Sequence, residues 1–90
     1  MSVEWDGRKA FANLQKHGVD FADAVAVLED ERALTAREVL SGDDDRYLTL
    51  GMDALGRLLV VVYTWHGDSV RLISARPATA RERHQYGDRT

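Results

Sequence analysis

Ninety residues, 44% of them hydrophobic and 30% charged, describe one folded domain over 1–90, long enough for a single small core and too short for two. The absence of cysteine removes disulfides, thiolate nucleophiles and cysteine-based zinc sites and fits a reducing cytoplasm, while the longest apolar run, residues 58–63, falls far below the roughly 20 residues that span a bilayer. The net charge of −3 is unevenly divided, with six Lys/Arg against twelve Asp/Glu over residues 1–56 and six arginines against three acids over residues 57–90, so the C-terminal part is locally basic.

Glu4-Trp5 reads as a short extended segment, after which Asp6 can accept hydrogen bonds from the free N–H groups of a helix starting near Gly7. Ala10, Phe11 and Leu14 have helical spacing and are expected to face the core. Lys16-His17-Gly18 ends the helix with cations at its negative pole and a glycine for the left-handed cap. Asp20 opens a second helix whose Phe21, Val25 and Leu28 form an amphipathic stripe, and Glu29-Asp30-Glu31 ends it. Together the two form a helical hairpin that must cover something else.

Residues 33–40 are loosely strand-like, and Ser41-Gly42-Asp43-Asp44-Asp45 is a polar loop. Alternation then becomes clean: Leu48, Leu50 and Met52 on one side, Tyr47, Thr49 and Gly51 on the other. A turn at Asp53-Ala54-Leu55-Gly56 leads into residues 58–63, apolar on both parities as in a central strand. His66-Gly67-Asp68 is a second turn, residues 70–76 form the last strand, and Pro77 closes it. Thr79 and Glu82 have capping-box spacing for a final helix that Gly87 can end. The fold class is α+β, an antiparallel sheet with an N-terminal helical hairpin and a C-terminal helix in the order β-α-α-β-β-β-β-α.

No glycine-rich phosphate loop, metalloprotease histidine pair or calcium-loop spacing occurs, so neither cofactor nor metal is expected. Arg71 and Arg76 interrupt an apolar strand and are expected to put one permanent charge on each of its faces. As structure they need acidic partners such as Glu4, Asp6 or Asp68; as chemistry they are phosphate clamps, since the guanidinium fork binds phosphate oxygens bidentately. Arg81 and Arg83 extend the basic region, and Tyr63, Trp65 and Tyr86 are aromatics suited to stacking on bases of single-stranded RNA. Lys16 and His17 suit a helix C-terminus equally well as they suit proton transfer.

Glu4-Trp5-Asp6, Lys9, Asn13, Lys16-His17-Gly18, Phe21, Ala24 and Asp30 resemble the N-terminal pattern of the BrnT toxins. The likeness continues through Arg46-Tyr47-Leu48-Thr49-Leu50-Gly51, Gly56-Arg57-Leu58-Leu59-Val60-Val61-Val62-Tyr63, Arg71-Leu72-Ile73-Ser74-Ala75-Arg76 and Arg81-Glu82-Arg83 with Tyr86. That resemblance implies a RelE-like fold and a cytoplasmic, metal-independent ribonuclease that inhibits translation and is neutralised by a BrnA-type antitoxin. DNA is then reached only through the antitoxin, and no membrane is involved. On this reading Lys16, His17, Arg71 and Arg76 form the catalytic set, the arginines on phosphate and Lys16 or His17 on a proton. Arg57, Arg81, Arg83 and Tyr86 contact RNA. The alternative is a non-catalytic module acting mainly as the partner of a DNA-binding antitoxin.

Overall fold

Two aspartates fix where the first helices begin. The computed structural model describes residues 2–38 and 45–87. After β1 (Ser2–Glu4), Asp6 lies in extended conformation and its carboxylate accepts from the N–H groups of Arg8 (2.7 Å) and Lys9 (3.3 Å), starting α1 (Gly7–His17). Gly18, at φ 70°, ends α1 by donating to the Leu14 carbonyl, a left-handed position that glycine occupies without a Cβ penalty. Asp20 caps α2 in the same way, but α2 is α-helical only over Phe21–Ala24 and tightens into a 3₁₀ segment over Val25–Glu29.

The remaining elements are β2 (Leu34–Glu38), β3 (Arg46–Met52), β4 (Leu58–His66), β5 (Ser69–Pro77) and α3 (Ala80–Gly87). Residues 39–44, which hold the end of the expected 33–40 strand and most of the expected acidic loop, lie outside the described residues. Strands β2 to β5 form the antiparallel meander that the alternation implies. The sheet as a whole is mixed, not purely antiparallel: its order is β1-β5-β4-β3-β2, and β1 runs parallel to β5, Ser2 facing Ser69 and Glu4 facing Arg71. The helical crossover between β1 and the meander carries the chain back across the sheet, which makes a parallel partner possible.

One sheet face packs against α1, α2 and the 3₁₀ segment, enclosing Val19, Phe21, Val27, Leu59, Val61, Val70 and Leu72 without solvent contact. Gly51 lets that layer come close, since a Cβ there would lie 3.2 Å from Val27 and from the Asp30 carboxylate. On the opposite face, α3 covers only the end near Leu50 and Val60.

Helix α1 is turned differently from the expectation. Phe11 and Leu14 are 65% and 42% exposed, and the inward positions are Ala10, Asn13 and His17. The cause is the Asn13 side chain, which is 6% exposed. Its amide accepts from the Ala75 N–H (3.0 Å) and donates to the Ala75 carbonyl (2.9 Å) and to the Val19 carbonyl (3.0 Å). A polar group that satisfies three buried backbone groups dominates the orientation of a short helix, because leaving them unpaired is costly.

Replacing Asn13 with Ala should therefore destabilise the protein by about 2–4 kcal/mol, read from denaturant unfolding. Asn13→Asp, which sets a carboxylate against two carbonyl oxygens, should cost at least as much despite its matched size.

Candidate functional site

The register of β4 with β5 decides where the arginines point. Arg71, Ser74 and Arg76 pair with Thr64, Val62 and Val60, three residues of one parity on β4, while Ile73 has no partner in the ladder. This is a β-bulge, one extra residue that shifts the alternation of everything beyond it. Arg71 and Arg76 consequently share the face opposite the helical hairpin, instead of lying on opposite faces as simple alternation predicts. Val70, Leu72 and Ala75 fill the core from the other side.

Three chemical groups meet at the β1 end of that face. The Glu4 carboxylate lies 2.8 Å from His66 Nδ1, Arg71 Nη2 lies 3.0 Å from the same nitrogen, and Arg71 is 3.7 Å from Glu4. Half or more of the Arg71 and His66 side chains is open to solvent. The hydrogen bond to His66, reinforced by Arg71, holds the Glu4 carboxyl below its ordinary value. Beside this corner is a cavity of about 310 Å³ lined by Glu4, Trp5, Asp6, Lys9, Arg71 and Leu72. A second cavity, about 270 Å³, adjoins it through Lys9 and continues along the seam between α1 and β5 past Lys16, His17 and Ser74. Arg71 and Lys9 thus line the first cavity, and Lys9, Lys16 and His17 the second, with Lys9 common to both.

Among the other expected site residues, Arg76, Arg57 and Tyr86 have structural partners. Arg76 makes a bidentate pair with Glu82 (2.8 and 2.9 Å), and Glu82 also closes the capping box of α3: it accepts from Thr79 N–H (2.8 Å) and its own N–H donates to Thr79 Oγ1 (3.2 Å). The Arg76 guanidinium, with help from the cap, holds the Glu82 carboxyl down at about 2. Arg57 binds the fully buried Asp53 carboxylate (2.8 Å) and donates to the Gly18 carbonyl (3.3 Å), tying the β3–β4 turn to the end of α1. Tyr86 donates to Asp30 (2.6 Å) under the Arg32 guanidinium. Arg81 and Arg83 are exposed on α3, Arg83 beside Arg57 and away from the seam.

Tyr63, expected among the exposed aromatics, is 7% exposed; its hydroxyl is shared with Thr49 (2.9 Å) and its ring stacks on Tyr47. Trp65, half exposed, is the large aromatic that β4 leaves open. Sequence reasoning missed His66, treated as a turn residue, and Lys9. His66 meets Arg71 across the β4–β5 hairpin, but the pairing of β1 with β5, which brings Glu4 to both and Lys9 to the same cavity as Arg71, links residues more than 60 positions apart and leaves no local trace.

A family model described as "Ribonuclease toxin, BrnT, of type II toxin-antitoxin system" matches residues 5–82. The crystal structure of the Brucella abortus ribonuclease toxin BrnT superposes with a TM-score of 0.63 at 28% sequence identity, covering 88% of this chain and 97% of that one. No curated protein sequence matches.

Arg57→Ala, which strands the buried Asp53 carboxylate, should lower stability by about 2–4 kcal/mol in thermal unfolding, whereas Arg71→Ala should leave the melting temperature nearly unchanged. The Glu82 pair should contribute about 1–2 kcal/mol after solvent screening. Because the folded carboxyl titrates below its unfolded value of about 4.5, this contribution is complete above that pH and is lost as pH falls toward about 2. Glu82→Gln should remove it, measurable as a flatter acid limb in stability against pH.

Proposed function

The chain belongs to the family of ribonuclease toxins, BrnT, of type II toxin–antitoxin systems, and on that premise we propose that it cleaves RNA along the α1–β5 seam without a metal ion. The observation that supports the site is the lining of two adjoining cavities by Arg71, Lys9, Lys16 and His17. A single RNA strand offers a phosphate at every nucleotide, and cations along a groove hold such a backbone without reading its sequence. The nucleophile comes with the substrate, since the ribose 2′-oxygen sits next to its own 3′-phosphate. Attack on phosphorus expels the 5′-oxygen and leaves a 2′,3′-cyclic phosphate.

In this reaction Arg71 binds the non-bridging oxygens and stabilises the charge that accumulates on them. Lys16 or His17 supplies a proton to the departing 5′-oxygen. Arg57, Arg76 and Tyr86 act through the fold, holding the β3–β4 turn and α3 in place, while Arg81 and Arg83 meet RNA outside the reacting nucleotides. The sheet and helix arrangement suits a RelE-like scaffold, translation is the cellular process that stops, and a BrnA-type antitoxin neutralises the toxin. Phe11 and Leu14, turned outward on α1, offer that antitoxin an apolar footing next to the seam.

Expression of the chain alone should arrest growth, and Arg71→Ala should relieve the arrest while the protein remains folded. The purified protein should cut RNA in excess chelator, with Arg71→Ala slower by about 10²-fold or more. Unaffected growth together with intact RNA would contradict the reading. Cleavage lost in chelator and regained with magnesium would contradict its metal independence.

A further inference from the structure

We propose that His66, oriented by Glu4, is the group that takes the proton from the RNA 2′-hydroxyl at the phosphate bound by Arg71; this rests on the ribonuclease reading above. A carboxylate, an imidazole and a guanidinium, delivered by β1, β4 and β5, converge within 2.8 to 3.7 Å of one another. Structural need does not account for them. Strand β1 is already fixed by backbone pairing from Ser2 to Glu4, and exposed ion pairs add little to stability.

The geometry also selects a tautomer. Glu4 can only accept, so its contact places a proton on Nδ1 of His66. The lone pair is then on Nε2, a nitrogen with no hydrogen bond among the described residues. Arg71 can only donate, so its contact with Nδ1 competes with that of Glu4. Transfer of the Arg71 guanidinium to a phosphate oxygen removes the competitor and leaves the tautomer with Nε2 free to accept. The same carboxylate then stabilises the imidazolium, the arrangement by which a base is held in its working tautomer. Asp6 and Lys9 line the adjoining cavity, and Asp68 follows His66 by two residues in the β4–β5 turn.

In the step itself, Nε2 takes the 2′-hydroxyl proton as the 2′-oxygen–phosphorus bond forms and the phosphorus–5′-oxygen bond breaks. The 5′-oxygen leaves with the proton from Lys16 or His17. The products are a 2′,3′-cyclic phosphate and a 5′-hydroxyl, with no change of oxidation state and no further reactant. His66 is thus the proton acceptor and Glu4 a positioning residue.

The test uses the full chain and a short RNA, with cleavage rates measured from about pH 5 to pH 8. Wild type should speed up as pH rises, because the proton acceptor works only in its neutral form. His66→Asn should lose about 10²–10⁴-fold and lose that rising limb. Glu4→Gln should lose less, and Glu4→Asp, which keeps a carboxylate to accept from Nδ1, should recover part of that loss, a rescue that a merely structural role would not give. Imidazole added to His66→Gly should restore part of the rate, which also decides the matter should His66→Asn fold poorly. A His66→Asn enzyme with the wild-type rate and pH profile, or a His66→Gly enzyme that imidazole does not rescue, would overturn the proposal and leave the ribonuclease reading standing. A wild-type protein that cleaves no RNA would overturn both.

Discussion

The side-chain amide of Asn13 does for β5 what a neighbouring strand would otherwise do. Strand β1 pairs with β5 only as far as Arg71, and beyond the Ile73 bulge the edge of β5 would face α1 with unpaired backbone groups. Asn13 supplies a donor and an acceptor to Ala75 in the pattern of a peptide unit and reaches the Val19 carbonyl with its second N–H. One side chain therefore joins the first helix, the corner after it and the last strand. The orientation of α1 follows, and with it the placement of Lys9, Lys16 and His17 along the seam. So does the exposure of Phe11 and Leu14: an apolar side chain left in water costs less than three buried backbone groups left unpaired.

A second constraint sorts the arginines. The bulge turns Arg71 and Arg76 onto one face, but their partners differ. Arg76 meets a carboxylate that also caps α3 and forms a half-buried bidentate pair, while Arg71 lies in a loose, solvent-exposed group with Glu4 and His66. Arg57 is similarly committed to a buried carboxylate. In a protein with a net charge of −3, a cation committed to a carboxylate within the fold offers little attraction to an anionic partner. Arg57 and Arg76 are thus committed within the fold, and Lys9 and Lys16 from the acidic half supply part of the cationic surface.

Local signals carried well from sequence to structure. Asp6 and Asp20 mark helix starts, Gly18 a helix end, Thr79 and Glu82 a capping box, and residues 47–52 a strand with the expected alternation. Each of these is decided by neighbours within a few positions. What sequence did not disclose depended on distant contacts: the parallel β1–β5 pairing, the bulge at Ile73, and the polar anchor that outweighs the apolar spacing of Phe11 and Leu14. The candidate site divides along the same line. Arg71, Lys16 and His17 were visible as residues, and Glu4 as a partner for Arg71. His66 was invisible because its relevance comes from a side-chain contact with Glu4, 62 positions away in the chain.

The seam between α1 and β5 as the place where RNA binds is the claim on which the functional reading depends. It can be tested without turnover by titrating isotope-labelled protein with an RNA carrying a single 2′-deoxy nucleotide at the scissile position, so that the attacking oxygen is missing. Nuclear magnetic resonance shifts should concentrate at Lys9, Lys16, His17, His66, Arg71 and Ser74. Shifts confined to α3 and β2, with the seam unmoved, would contradict it.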